Sequence, residues 1–281
     1  MFGPTIDYHL LRPLCHSRGL RTSGEVTDAR PQDRGELLGF LGYFEGRVDL
    51  RGKSVLDVGC GTGEMVMEAA QLGAARAVGV DLLPRWIALA RERVEGRPEL
   101  RERVDFVCAD IHAWEPAERF DVVISRTAFE HIHDPGPFLH RLVQFLAPGG
   151  MFATLWQPFH GPFGDHLGGF FRVRIPYRGV LFNERALLRL RAEFFRPGDP
   201  VERWGDIDIG MNRLRYSEFV RLCRETGLEI VLLRPNLTPR HRRLLRPLMR
   251  LSDALGRIPI VRDYVAAAPI ALLRRPAAGP A

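Results

Sequence analysis

A glycine-rich turn is the segment of the sequence whose residue types and spacing most clearly suggest chemistry. In VLDVGCGTGE (55–64), glycine occupies positions 59, 61 and 63, directly after an apolar run. Glycine has no Cβ to hold a ligand away from the backbone, and the amide groups at the start of a following helix favour a carboxylate or phosphate. The spacing therefore predicts a ligand-binding turn formed by Gly59, Cys60, Gly61 and Gly63.

The acidic residue before this turn narrows the choice of ligand. Asp57 lies two positions before the first glycine, where a carboxylate would repel a pyrophosphate but attract a ligand that carries an ammonium group and a sulfonium charge. The turn also has no glycine at position 64, which the dinucleotide fingerprint G-x-G-x-x-G would require. The sequence therefore disfavours a nicotinamide cofactor.

Two further carboxylates close the next two predicted strands. Asp81 lies about twenty residues after the turn, where a carboxylate can accept both hydroxyls of a ribose; capping of the helix that begins near Pro84 is the structural alternative. Asp110 is placed to accept the exocyclic amine of an adenine while Ile111 packs on the ring. Together with Leu82, these residues predict a nucleoside site.

The elements that would position these residues alternate between strand and helix. Apolar runs predict strands at 54–58, 77–81, 104–109, 120–125 and 151–156, and helical spacing predicts helices at 64–72, 84–94 and 137–146, after a leading amphipathic helix at 36–46. Such alternation indicates an α/β fold with a parallel sheet covered on both faces. The carboxyl ends of the strands would then bring the glycine turn and the carboxylates to one edge.

The alternation stops at 158 and resumes near 214. The interruption contains one predicted helix, 184–194, with Asn183 placed to cap it. A helix at 216–226, a strand at 228–233, a basic amphipathic helix within 240–257 and a last strand at 264–273 follow. We therefore predict a flexible N-terminal segment (1–35), a cofactor-binding core (36–157), an inserted substrate cap (158–213) and completion of the same sheet (214–276).

Five segments of the core occur together in a known order. VLDVGCGTGE, VGVDLLP, VCADI, FDVVISRTAFEHIHDP and LAPGGMF resemble, in sequence and spacing, the class I S-adenosylmethionine-dependent methyltransferases, particularly the ubiquinone-biosynthesis-like small-molecule branch. The resemblance covers 36–157 closely and 215–275 only by its pattern of elements. It implies a doubly wound, Rossmann-like sheet of seven strands, mostly parallel with the last antiparallel, and S-adenosylmethionine as the cofactor.

The resemblance also implies a role for each site residue. The cofactor would lie across the carboxyl ends of the first four strands. Asp57 and the glycine turn would hold its methionine moiety, Asp81 its ribose, and Asp110 with Ile111 its adenine. Ser125 and Arg126, at the end of the fourth strand, would lie beside the reactive methyl group, although Arg126 is unusually large for that place.

The residues that would catalyse methyl transfer are harder to identify, because positioning and exclusion of water can supply most of the acceleration of an in-line displacement. A base is needed only for an un-ionised acceptor, and histidine suits that role near neutral pH. His131, His160 and His166 are the candidates; a structural hydrogen bond at a helix entry is the alternative for His131 and its neighbour His133. The spacing of His160, Asp165 and His166 is weak evidence for a metal, and the sequence predicts none.

The insertion is rich in aromatic residues that would line a pocket for a small organic acceptor or pack the added subdomain. We predict O-methylation of a glycan, lipid or secondary metabolite. An RNA methyltransferase is the first alternative, suggested by the net charge of +6, although 125–128 reads SRTA and not the Asn/Asp-Pro-Pro-aromatic motif that holds a flipped base. A non-catalytic scaffold with a cofactor fold is the second.

The remaining composition bears on location and partners. The four cysteines are widely spaced without a C-x-x-C pair, which favours a reducing cytoplasm and disfavours a disulfide framework. The longest apolar run, 264–273, is too short to span a bilayer. The basic stretch 240–257 suggests contact with a lipid or membrane surface, with a buried crossover helix as the simpler alternative. The sequence does not predict an oligomeric state.

Overall fold

A seven-stranded sheet organises the chain. The computed structural model describes residues 3–16, 35–167, 171–173, 175–195, 203–204, 211–235, 251, 254–256 and 258–277. The strands lie in the order β3-β2-β1-β4-β5-β7-β6, and only β7 is antiparallel to its neighbours. Their bounds are β1 Ser54–Val58, β2 Arg76–Asp81, β3 Val104–Cys108, β4 Phe120–Arg126, β5 Leu146–Leu155, β6 Glu229–Arg234 and β7 Ile270–Arg274. The predicted fold class, including the antiparallel last strand, is confirmed.

The central strands are apolar on both faces because helices cover both faces of the sheet. In β1, Val55 and Leu56 point to opposite faces and are 1% and 0% exposed. The two residues belong to different core clusters. A parallel strand that is buried on both faces in this way has a continuous apolar sequence. The core therefore holds the carboxyl ends of β1, β2, β3 and β4 in fixed positions.

The helices of the core lie close to their predicted places. Their bounds are α2 Glu36–Leu41, α3 Glu64–Gln71, α4 Pro84–Glu95, α5 Pro135–Phe145, α8 Tyr216–Glu225 and α9 Pro259–Val265. The leading helix is shorter than predicted, since a 3₁₀ turn, Gly42–Phe44, replaces its end. The last strand begins at Ile270 and not at 264, because Pro259 starts a helix that includes Tyr264.

The N-terminal segment corrects one expectation. Residues Pro4–Leu11 form helix α1, so the prediction of a flexible segment is wrong for 3–16, while 17–34 lie outside the described residues. Tyr8 and Leu11 are buried, and the buried Asp7 carboxylate accepts a hydrogen bond from the Asn183 amide at 2.6 Å. Packing against the distant insertion, which local sequence does not reveal, orders this helix.

The insertion forms a cluster of its own around α6 (Arg178–Leu181) and α7 (Glu184–Leu190). The predicted cap is confirmed, since the Asn183 side chain accepts from the Arg185 amide at 3.0 Å. Two buried side chains, Asp165 and Arg178, form a bidentate ion pair at 2.7 and 3.0 Å, and Arg178 lies over the Phe171 ring at 4.9 Å. The cluster includes side chains of α1.

Most of the predicted basic helix at 240–257, namely 240–250, 252–253 and 257, lies outside the described residues. Within the part of the chain that the structure describes, no helix combines the length and the apolar character needed to cross a membrane.

Candidate functional site

A cavity of about 380 Å³ lies at the carboxyl ends of the first four strands. The sequence predicted that the glycine turn and the carboxylates would lie together at this edge of the sheet. Its lining comes from the turn after β1, the end of β2, the first turn of α4 and the loops after β3 and β4. These lining residues are Val58, Gly59, Gly61, Val80, Asp81, Leu82, Leu83, Trp86, Ala109, Asp110, Ile111, His112, Thr127, Ala128, His131, Ile132 and His133.

The three glycines of the turn have different roles. All three have positive φ, +74° at Gly59, +51° at Gly61 and +78° at Gly63. A Cβ would lie 2.3 Å from the Ala128 Cβ at Gly59 and 2.4 Å from the Phe106 ring at Gly63, whereas at Gly61 it would meet nothing within 4 Å. Gly59 and Gly63 therefore allow close packing of the chain, and Gly61 leaves the cavity floor open to a ligand.

Asp81 holds the turn in place while it lines the cavity. Its Oδ2 accepts a hydrogen bond from the Gly61 amide at 2.9 Å, and its Oδ1 accepts from the Leu83 amide at 2.9 Å, just before α4. Asp81 therefore orders the loop before α4 but does not cap the helix, whose N-cap residue Leu83 makes no side-chain cap hydrogen bond. Each carboxylate oxygen retains acceptor capacity, so Asp81 can also bind hydroxyl groups in the cavity.

Asp57 lies beneath the turn, outside the described lining of the cavity. Its side chain is 3% exposed. Burial, and to a smaller extent the charge of Asp81, raises the pKa of Asp57 to about 7. Cys60 is also buried and lies against Gly79, where an added Cβ would be 2.7 Å from the Cys60 sulfur. Asp57 and Cys60 therefore support the floor of the cavity from below.

The opposite wall is more apolar. Ile111 is buried, and Asp110 accepts a hydrogen bond from the His112 amide at 2.9 Å, so its loop is locally ordered. Trp86 and Leu82 also line this wall. Sequence reasoning missed Trp86, although its place in the first turn after a strand end was a usable signal. A flat apolar ring system with a polar edge would fit between these residues.

The structure does not bring Ser125 and Arg126 to the described lining. Ser125 is buried. The Arg126 guanidinium forms an ion pair with Glu36 of α2, and burial lowers the pKa of Arg126. Thr127 and Ala128 line the cavity in their place, because a positive φ of 51° at Thr127 turns the chain after β4.

Glu130, His131 and His166, which we call the polar cluster, meet at the end of the cavity beside β4. His131 lines the cavity and its ring lies edge-on to that of His166, with 5.0 Å between centroids. The Glu130 Oε1 lies 3.6 Å from the His166 Nε2. Sequence reasoning missed Glu130; its place directly before His131 in the run Ala-Phe-Glu-His-Ile was the available signal.

Burial sets the protonation of the polar cluster. It raises the pKa of Glu130 to about 8, an effect that the backbone amides of Glu130 and Gln157 partly offset. Burial and then the neighbouring His131 lower the pKa of His166 to about 4. Near neutral pH, His166 is therefore an uncharged imidazole that can accept a proton or bind a cation.

His160 lies elsewhere. Its ring is 6.4 Å from that of Tyr264 in α9, and burial together with the charges of Arg215 and Arg213 lowers its pKa. His160 is not among the described lining residues of the cavity. Since Asp165 pairs with Arg178, the spacing of His160, Asp165 and His166 does not correspond to a site.

Comparison with known proteins gives matches over the same core. A family model described as a methyltransferase domain matches residues 55–150. The ubiquinone biosynthesis O-methyltransferase of Azoarcus sp. (strain BH72) is 30% identical over 195 residues, which span 68% of this chain and 70% of that protein. That of Bradyrhizobium sp. (strain ORS 278) is 38% identical over 102 residues, but the match spans only 36% of this chain and 39% of that protein.

Solved structures share the fold at lower identity. An S-adenosylmethionine-dependent methyltransferase from Mesorhizobium loti superimposes with a TM-score of 0.55 at 17% identity, covering 85% of this chain and 95% of that one. The phosphoethanolamine N-methyltransferase 2 of Haemonchus contortus, in complex with S-adenosyl-L-methionine, gives a TM-score of 0.56 at 20% identity and covers 86% of this chain and 52% of that one. These likenesses concern the fold alone.

Proposed function

The chain belongs to the class I S-adenosylmethionine-dependent methyltransferases, and we propose that it methylates an oxygen atom of a small molecule from a glycan, lipid or secondary-metabolite pathway. Membership of this family makes the chain an enzyme whose cofactor is S-adenosylmethionine, which removes the scaffold alternative. The observation that carries the proposal is the cavity at the strand ends, with carboxylates at one end and the polar cluster at the other.

The carboxylates support a definite orientation of the cofactor. Asp81 would hold the ribose hydroxyls, and Asp110, Ile111, Leu82 and Trp86 would surround the adenine. The methionine carboxylate would lie against the backbone of the glycine turn, at the start of α3. The sulfonium and ammonium charges would then lie above Asp57, whose buried carboxylate attracts them without contact with solvent.

This orientation would direct the methyl group towards the loop after β4. In the transfer, the acceptor oxygen attacks the methyl carbon, the bond from carbon to sulfur breaks with its electrons left on sulfur, and S-adenosylhomocysteine departs as a neutral thioether. A hydroxyl acceptor must also lose its proton. We assign the activation of that hydroxyl to the polar cluster, which His131 connects to the cavity, and not to His160.

A screen of acceptors with methyl-labelled S-adenosylmethionine tests the proposal. Sugars, lipid head groups, phenolic metabolites and mixed RNA would be incubated with the full chain, and the products identified by mass spectrometry. We expect label on the oxygen of a small molecule. Label found only on RNA, together with an RNA affinity that falls steeply with salt, would favour the nucleic-acid alternative over the proposal. Label on a nitrogen atom of a small molecule would mean that the acceptor atom is nitrogen and not oxygen.

The variant His131→Asn tests the role of the polar cluster, with His160→Asn as the matched control. We expect His131→Asn to lower kcat by about 100-fold or more, the usual contribution of a group that activates a hydroxyl, with little change in cofactor affinity. His160→Asn should retain the activity of the wild type. Equal activity of the two variants would contradict the assignment.

A further inference from the structure

Three potential metal ligands converge beside the cavity from two parts of the chain. Glu130 and His131 lie in the 3₁₀ turn Phe129–His131 after β4, and His166 lies in the insertion. One ligand atom from each lies within 4.8 Å of the other two. Two ligand atoms on a tetrahedral ion are about 3.4 Å apart when their bonds are about 2.1 Å long, close to the 3.6 Å between Glu130 Oε1 and His166 Nε2.

The carboxyl group of Glu130 gives an independent indication that a ligand belongs here. Its side chain is 2% exposed. The backbone amides of Glu130 and Gln157 lie near enough to offset part of the effect of burial on its pKa, but neither carboxyl oxygen accepts a hydrogen bond of normal geometry from a described residue. A buried carboxyl group without such partners is destabilising, and buried charged groups in proteins are usually paired or bound to a metal. The Nε2 of His166, 3.6 Å from Glu130 Oε1, can coordinate the same ion.

From this geometry we infer that Glu130, His131 and His166 bind one divalent transition-metal ion. Two imidazole nitrogens and one carboxylate favour Zn²⁺ or Mn²⁺ over Mg²⁺ or Ca²⁺, which prefer oxygen ligands throughout. Three protein ligands leave a coordination position for water or substrate, as in catalytic and not structural zinc sites. The sequence predicted no metal, because the spacing along the chain does not show that His166 meets Glu130.

The ion would refine the proposed function, on which this step rests. His131 both lines the cavity and belongs to the ligand set, so the open coordination position would lie at the acceptor end. A hydroxyl group bound to a divalent ion releases its proton at a lower pH. His131 would then act as a ligand, and the ion would activate the acceptor hydroxyl.

Metal binding can be measured without turnover. The full chain would be stripped with EDTA and titrated with ZnCl₂ and MnCl₂ by calorimetry, with Mn²⁺ also followed by its paramagnetic resonance signal. We expect one ion per chain and weaker binding of MgCl₂. Glu130→Gln and His166→Asn should each weaken Zn²⁺ binding by more than about 100-fold, since loss of a group that only orients a ligand already weakens binding by about 10- to 100-fold.

His160→Asn is the matched control and should bind Zn²⁺ as the wild type does. S-adenosylmethionine affinity, measured on the same stripped samples, shows that each variant is folded and tests the proposed function separately. If Glu130→Gln does not fold, His166→Asn tests the inference. The His166 side chain is 31% exposed, so its replacement should disturb the fold less. Absence of Zn²⁺ binding, or binding that both variants retain, would overturn the inference even if the cofactor binds normally.

Discussion

The two ends of the cavity are built in different ways. At the nucleoside end, Asp81 is the last residue of β2 and Asp110 lies two residues after the end of β3. Asp81 accepts hydrogen bonds from backbone amides of its own loop and of the neighbouring turn. At the other end, Glu130 meets a histidine 36 positions away, and both Thr127 and His166 have positive φ. The first end is determined by short segments at strand ends, and the second by where the insertion lies against the core.

Because of this difference, we expect variants at the two ends to change different measured quantities. Changes in the insertion should alter stability and turnover but leave cofactor affinity nearly unchanged. Changes at the glycine turn and its carboxylates should alter cofactor affinity first.

The largest expected effect lies in the insertion. Arg178→Gln leaves the buried Asp165 carboxylate without its bidentate partner, and removal of one member of a buried ion pair usually lowers the free energy of unfolding by about 3 to 5 kcal/mol. Urea denaturation measures this loss, and calorimetry should show cofactor affinity within about twofold of the wild type, because the pair lies apart from the nucleoside end.

Arg221→Gln is the matched control for that prediction. Its pair with Glu225, at 2.6 Å, has side chains that are 58% and 45% exposed, so the change should be below about 1 kcal/mol. Equal destabilisation by the two variants would mean that burial of the Asp165 pair contributes nothing.

Gly59→Ala comes next. Its Cβ would lie 2.3 Å from the Ala128 Cβ at a φ of +74°, and overpacking together with a left-handed conformation should lower the free energy of unfolding by about 2 to 4 kcal/mol. Cofactor affinity should fall as well, since Ala128 lines the cavity. Urea denaturation and calorimetry measure the two effects.

Gly46→Ala is the control that separates the effect of the steric clash on stability from the effect of the backbone conformation. Gly46 has the same φ of +74°, but an added Cβ would meet nothing within 4 Å. This control should lose only the conformational part, about 1 to 2 kcal/mol, and should bind the cofactor normally. A loss as large as that of Gly59→Ala would show that packing against Ala128 is unimportant.

Asp81→Ala should weaken S-adenosylmethionine binding by about ten- to a hundredfold, equivalent to about 1.5 to 3 kcal/mol for lost charged hydrogen bonds. Asp121→Ala is the control: Asp121 accepts from the Ser54 amide at 2.9 Å, at the opposite end of β1, so that variant should lose stability but not cofactor affinity. If both variants bind S-adenosylmethionine alike, Asp81 serves only to order the turn and the loop before α4.

The same difference between the two ends explains what sequence could predict. The sheet, and the carboxylates at the ends of β2 and β3, followed from the alternation of strands and helices. The polar cluster and the order of α1 did not, because each depends on contacts between distant segments, such as Asp7 with Asn183. The sequence also did not predict that Asp57 lies below the turn. Side chains alternate along a strand, but when both faces of the strand are buried this alternation does not show which side chains a ligand can reach.

The smallest expected effect is a pH dependence of cofactor binding at the nucleoside end. Because burial and the charge of Asp81 raise the pKa of Asp57 to about 7, the residue is mostly protonated at pH 6 and mostly ionised at pH 8. A cation binds better above the ionised form. S-adenosylmethionine affinity should therefore rise by up to about tenfold from pH 6 to pH 8, the change that one ionisation can produce.

Calorimetry across this range measures the effect, and Asp57→Asn should make the affinity nearly independent of pH. The stability of the free enzyme should change in the opposite direction. The folded protein retains a proton on Asp57 that the unfolded chain releases near pH 4, so the free energy of unfolding falls as pH rises from about 4 to 7. An unchanged pH profile in Asp57→Asn would assign the dependence to another group, and the polar cluster, with Glu130 near pKa 8, would be the first to test.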